Sequence, residues 1–126
     1  MERQLERCLE YARERKQYGQ AIGSFQAVAH KLVDMKIRVE TARGLLYRLG
    51  WLLDNGETPT LESALTKLYL SECYVRSTLD ALQVFGGYGY MTEYELEREV
   101  RDAIGSRIYS GTSEIQYNLA ARSMGL

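Results

Sequence analysis

The chain has one histidine, two cysteines and one proline in 126 residues, and each scarcity removes a class of explanation. A zinc site needs clustered His and Cys ligands. The lone His30, with Cys8 and Cys73 far apart, leaves no metal constellation. The two cysteines are expected as reduced thiols that behave as small buried hydrophobes. Charge is nearly balanced, 16 Lys plus Arg against 17 Asp plus Glu, so no basic footprint exists for nucleic acid or an anionic membrane. No apolar run reaches the ~18 residues of a membrane span. The opening M-E-R-Q-L-E-R lacks the basic-then-apolar pattern of a signal segment. These absences predict a soluble, cytoplasmic protein with no membrane or nucleic-acid partner and no metal.

What is present reads as one helical domain, residues 1–126. Residues 1 to about 18 are charged and helical, with Leu5, Cys8 or Leu9, and Ala12 on one face. Gly19 and Gly23 bracket a break, and Ser24 suits the start of the next helix. From there Phe25, Val28, Leu32, Met35, Val39, Ala42, Leu46, Leu49 and Leu53 alternate three- and four-residue steps, the seam of a long bundle helix. Ile37, Leu45, Trp51 and Leu52 add a second stripe, expected where a helix also meets another subunit. Asp54-Asn55-Gly56 ends that helix, and Pro59 between two threonines starts the next. Leu61, Leu65, Leu68, Val75, Leu79, Leu82 and Phe85 carry it to G-G-Y-G-Y at 86–90, a stretch too glycine-rich for helix. A shorter helix is predicted over 93–104 and a last one from Ser113 to Met124. No strand pattern appears. The expected fold is all-α, an antiparallel up-and-down four-helix bundle with short additional helices.

Three glycine-marked breaks, 18–23, 86–90 and 110–112, separate these helices and are candidates to converge on one ligand. Arg15 borders the first and suits a phosphate. The stretch R-I-Y-S-G-T-S-E-I-Q at 107–116 is the most site-like. Gly111 permits a close turn, and Ser113 with Gln116 fits a capping box. The new helix start presents unpaired N–H groups, a place for an anion or a carbonyl oxygen. Read on spacing alone, these are equally ordinary capped helices and turns. Ser110 has no His or Lys beside it in sequence, so a serine nucleophile is weakly supported.

Taken in order, several stretches resemble the C-terminal domain of the flavin-dependent acyl-CoA dehydrogenases. They are R-K-Q-Y-G at 15–19, F-Q at 25–26, K-L-V-D-M at 31–35, Q-V-F-G-G-Y-G-Y at 83–90, E-Y-E-L-E-R at 93–98, R-D-A at 101–103 and I-Y-S-G-T-S-E-I-Q at 108–116. The resemblance implies a four-helix bundle at the centre of a homodimer or homotetramer. In that family an N-terminal helical domain and a middle β-domain complete the FAD and acyl-CoA sites, so residues 1–126 are expected to be a fragment, inactive alone. The matching positions imply FAD contacts at Arg15, Gln17, Tyr18, Phe25, Gln26, Gln83, Gly86 and Gly87, made to the cofactor of a neighbouring subunit. Thr112, Ser113 and Glu114 are implied along FAD at the last helix start, Gly111 near the acyl thioester, and Arg122 in a structural or substrate-proximal role.

The departure from the family pattern is Ser110, where many members carry the glutamate that removes the α-proton. An alcohol cannot act as that base near neutral pH. No catalytic residue is therefore assigned within the chain. The implied reaction of the full enzyme is oxidation of a CH–CH bond beside a thioester, with an electron-accepting flavoprotein or oxygen as the final acceptor. The wording G-S-R-I-Y-S-G-T-S is also similar to members that act on acyl or aminoacyl groups held by carrier proteins. A non-catalytic helical oligomerisation module is the alternative of a different class.

Overall fold

The computed structural model describes all 126 residues. Helix α1 spans Glu2–Glu14, α2 Gln26–Asp54, α3 Thr60–Phe85, α4 Gly87–Tyr90, α5 Leu96–Ser106 and α6 Ser113–Ser123. Cross-links set their directions. Arg38 bonds Ser77 and Asp80, and Arg48 meets Glu62, so α2 and α3 run antiparallel. Gln4 and Arg7 of α1 reach Glu99 of α5, and Glu2 pairs with Arg43 of α2. Helices α1, α2, α3 and α5 thus form the expected up-and-down four-helix bundle. Helix α6 packs on the first half of α3, and α4 is the short addition.

The first helix stops earlier than expected. Arg15 is extended, and Lys16–Gln17 (β1) pairs antiparallel with Gln20–Ala21 (β2). Tyr18 and Gly19 both have positive φ, 52° and 80°, as the tightest hairpin turn requires. A two-residue strand is too short to show alternation, which is why the sequence pattern hides it. Phe25, rather than Ser24, occupies the N-cap of α2, while the Ser24 hydroxyl donates to the Ala21 carbonyl.

The inward line of α2 follows Leu32, Met35, Val39 and Ala42 and then passes to Leu52, leaving Leu46 and Leu53 half-exposed. A straight helix drifts by about 20° per heptad from a strict seven-residue repeat, so the seam read from sequence rotates off the core after Ala42. Helix α3 corrects the sequence reading further. It touches α1, α2, α5 and α6, and close approach on so many sides selects small residues. Ala64, Thr66, Ser71, Cys73, Ser77, Thr78 and Ala81 are buried, while Leu65 and Leu79 face out. The Ser71 and Thr78 hydroxyls return to carbonyls of their own helix, so their polarity adds no unpaired group to the interior.

The main core joins α1 to the C-terminal half of α3 through Leu5, Cys8, Ala12, Met35, Val39, Ala81, Val84, Phe85 and Leu96. Around it, G-G-Y-G-Y does form a helical turn, contrary to the glycine-based expectation. A Cβ on Gly89 would lie 2.7 Å from the Leu82 carbonyl oxygen. Only glycine lets α4 fold back against the end of α3. Both cysteines are free and buried. No helix is long and apolar enough to cross a membrane, and no group of three or more His, Cys, Asp or Glu is placed to hold a metal.

Candidate functional site

Two of the three glycine-marked breaks meet, and the third does not. The hairpin at 15–21 and the turn at 86–91 face each other at the C-terminal end of α3. They bound an open cavity of about 630 Å³ with Arg15, Gln17, Gly86, Gly87, Tyr88 and Met91 on its walls. Tyr11, one helical turn before Arg15, stacks on Phe85 with ring centroids 4.0 Å apart and planes 13° apart. That stack locks α1 to the end of α3 and forms the cavity's apolar floor with Ile22 and Val84. Burial pushes the Tyr11 hydroxyl above its ordinary pKa, opposed by the Arg15 charge. The Arg15 guanidinium lies 5.2 Å from the centre of the Tyr88 ring, held over its face. Tyr18, 93% exposed at the hairpin tip, stands edge-on to Phe25. Gln26 and Gln83 are exposed on the neighbouring helix ends. An arginine, a glutamine and backbone N–H groups beside an aromatic floor suit a ligand that is part anion and part flat ring.

The 110–112 turn lies at the other end of α3. Lys67 of α3 bonds it, eighteen positions before Phe85, or about 27 Å along the helix axis at ~1.5 Å per residue. The Lys67 ammonium donates to the Gly111 carbonyl at 2.7 Å. Glu72, on the same helix, accepts from Arg107 Nε at 2.8 Å and from the Ser113 hydroxyl at 3.5 Å. Thr112 caps α6 by accepting from the Ile115 N–H, so the cap lies one residue before the expected Ser113. Ser113 is buried, with its N–H given to the Arg107 carbonyl. The Gln116 side chain turns back to the Ser110 carbonyl at 3.1 Å, doing a different job from the reciprocal bond of a capping box. Ser110 and Gly111 have φ of 55° and 87°, and only the glycine adopts this without strain. The backbone N–H groups of Ser110, Gly111 and Thr112 have no backbone acceptor. Consecutive free N–H groups at a left-handed turn suit a negatively charged or carbonyl oxygen. Glu114 is exposed, and its carboxyl is held below the usual range by its own backbone N–H and the Thr112 hydroxyl. Arg122 is exposed in the last turn of α6.

The chain therefore carries two half-sites, one at each end of α3. The sequence reading missed Tyr11, Lys67 and Glu72. Tyr11 had a signal, its one-turn spacing from Arg15. Lys67 and Glu72 had none, because their partners lie some forty residues away.

Comparison with known proteins decides the family. Residues 1–125 match the model of the acyl-CoA dehydrogenase C-terminal domain. The chain belongs to the acyl-CoA dehydrogenase family. An L-prolyl-[peptidyl-carrier protein] dehydrogenase from Pseudomonas fluorescens is 46% identical over 126 residues, all of this chain and 33% of that protein. Two solved structures share the fold of this chain. The prolyl acyl carrier protein oxidase AnaB gives a TM-score of 0.96 at 53% identity, over 99% of this chain and 33% of its own. The FAD complex of PigA gives 0.96 at 46% identity, also over 99% and 33%. The chain spans about a third of the length of the curated relatives it matches.

Proposed function

We propose that this chain is the C-terminal helical domain of an FAD-dependent dehydrogenase that oxidises a CH–CH bond beside a thioester. The observation that carries the reading is the pair of half-sites on one rigid helix, each built for part of a long dianionic, ring-bearing ligand. FAD fits both. Arg15 and Gln17 suit its diphosphate, and Tyr11, Tyr88 and Phe85 offer an apolar wall to a ring. The unpaired N–H groups at 110–112 and the start of α6 suit a second anionic or carbonyl segment. Because about 27 Å of helix separates the two ends, one cofactor is best served by the Arg15 end of one subunit and the α6 start of another. The exposed stripe of Val33, Ile37, Tyr47 and Trp51 on α2 supports a homodimer or homotetramer.

A bound FAD would supply the two-electron acceptor of the reaction, with an electron-accepting flavoprotein or oxygen as the final acceptor. The chain's own residues bind and orient. Arg15, Gln17, Tyr18, Phe25, Gln26, Gln83, Gly86 and Gly87 would hold the partner subunit's cofactor and Thr112 and Glu114 would line the chain's own, while Ser113, buried with its N–H and hydroxyl engaged, supports the helix start beneath them. Gly111, with no side chain, leaves room for the thioester. Ser110 stands where many family members carry the glutamate and cannot remove an α-proton, so either the base lies on another segment of the enzyme or the protein has lost it. Two buried free thiols suit a reducing compartment, which supports a cytoplasmic enzyme.

The substrate reading we favour is an acyl or aminoacyl thioester on a carrier protein, prolyl first, with acyl-CoA second. It is supported by the 46–53% identity to relatives named for prolyl carrier-protein substrates. The test uses the enzyme that carries this domain. Its visible spectrum is expected to show bound flavin that bleaches anaerobically on adding prolyl-loaded carrier protein. Well-folded enzyme without flavin would sink the reading, and bleaching by acyl-CoA alone would reverse the substrate order.

A further inference from the structure

We propose that Lys67 is a positioning residue for the reactive turn, acting through the Gly111 carbonyl; the functional part of this proposal rests on the dehydrogenase reading above. The Lys67 ammonium is part-buried and lies 2.7 Å from that oxygen. It also borders both cavities that flank Ser110, one toward Tyr74 and Tyr109 and one toward Pro59 and Leu119. No cis peptide occurs in the chain, so the Gly111 carbonyl and the Thr112 N–H share a trans peptide and point in opposite directions. Drawing the carbonyl toward α3 therefore turns the Thr112 N–H away from α3, outward from the turn.

The turn needs such a hold. Ser110 sits in the left-handed region, which strains any residue that carries a Cβ. Its amide and the next two have no backbone acceptor to retain them. The other supports are weaker or lie to the side. Gln116 reaches the Ser110 and Gly111 carbonyls at 3.1 and 3.5 Å. Glu72 ties down Arg107 and Ser113 on either flank but touches neither residue of the bend. A charged donor on a peptide carbonyl also polarises that peptide, which makes the Thr112 N–H a stronger donor. Lys67 thus both aims and sharpens the group that the ligand meets.

The experiment compares Lys67→Met and Lys67→Arg in the enzyme that carries this domain. Lys67→Met keeps length and packing but loses the donor, and Lys67→Arg keeps a donor. For Lys67→Met, kcat is expected to fall tenfold or more, while flavin content, KM and thermal midpoint stay near those of the parent. Lys67→Arg is expected to recover most of the loss. Unchanged kcat in Lys67→Met would overturn the proposal, as would a loss accompanied by equal loss of flavin and thermal stability. Hydrogen–deuterium exchange of the 107–116 segment gives a readout independent of the flavin. Lys67→Met is expected to speed exchange at Ser113, Ile115 and Gln116 while α2 is unaffected, and unchanged exchange there would refute the hold on the turn. Absence of flavin from the parent enzyme would instead defeat the dehydrogenase reading, and the exchange result would still decide whether Lys67 sets the turn.

Discussion

The amide of Gln4 donates to the carboxylate of Glu99 at 2.5 Å, both side chains buried, and this contact ties α1 to α5 across 95 positions of sequence. Arg3 and Arg7 add bonds to the same carboxylate, each at 3.1 Å. Arg7 also donates to the Tyr94 carbonyl, so the cluster anchors the segment that leads into α5. Removing one partner from a buried charge cluster leaves the others uncompensated. Glu99→Ala is expected to cost about 2–3 kcal/mol, below the roughly 3–5 kcal/mol of a fully buried pair because Arg3 is largely in solvent. Urea unfolding reads this directly, and a change under about 0.5 kcal/mol would show the cluster to be a surface ornament.

Cys8 is fully buried, and its burial pushes the thiol up to about 12. The folded state favours the neutral thiol, so its contribution to stability is complete below the ordinary value of 9.0 and is lost as pH rises toward 12. Iodoacetamide is expected to leave Cys8 unmodified in folded protein at pH 8 and to label it once urea unfolds the chain. Rapid labelling of the native protein at pH 8 would contradict this burial.

Ser110 and Gly111 share a left-handed turn, yet the two positions respond differently to substitution. Ser110→Gly relieves strain and is expected to be within about 1 kcal/mol of neutral, as the entropy of glycine offsets the gain. Gly111→Ala meets both the positive φ and a Cβ placed 2.7 Å from the Gln116 amide nitrogen. A loss of about 1–3 kcal/mol is expected there. Equal thermal midpoints for the two variants would show that the turn is not held as described.

Ser110 also tests where the chemistry lies. In the enzyme that carries this domain, Ser110→Ala is expected to change kcat only a few-fold, far from the roughly 10²–10⁴ that a general base contributes. Ser110→Glu is expected to alter activity, since the proposed function puts the thioester beside this turn. A loss of a hundredfold or more from Ser110→Ala would make the hydroxyl a participant and overturn the assignment of the base elsewhere.

Arg15 is held over the Tyr88 face above the stacked pair of Tyr11 and Phe85. A charge-assisted bond is worth about 1.5–3 kcal/mol, so Arg15→Ala is expected to weaken FAD binding about 10- to 100-fold. Arg15→Lys is expected to restore little, since an ammonium lacks the planar fork and the ring stacking. Titrating flavin into apoenzyme measures this, and unchanged affinity would refute the proposed contact of Arg15 with the cofactor.

The sequence by itself determined the five longer helices, their order and the family, but not the short turn of helix at Gly87–Tyr90. Helix starts, glycine breaks and apolar spacing are local signals, and the motifs around Arg15, Gly86 and Gly111 stand in the chain as contiguous words. Three matters were decided only by tertiary structure. The inward face of α2 shifts after Ala42, because helical drift against neighbours sets burial rather than the repeat. The interior of α3 is lined by small residues, because a helix contacted on many sides excludes bulk. The glycine-marked breaks divide between the two ends of α3, because helix length separates what spacing alone allowed to meet. Lys67 and Glu72 belong to the same lesson. Each is an unremarkable polar residue on a helix until folding brings a turn from forty positions away onto its side chain.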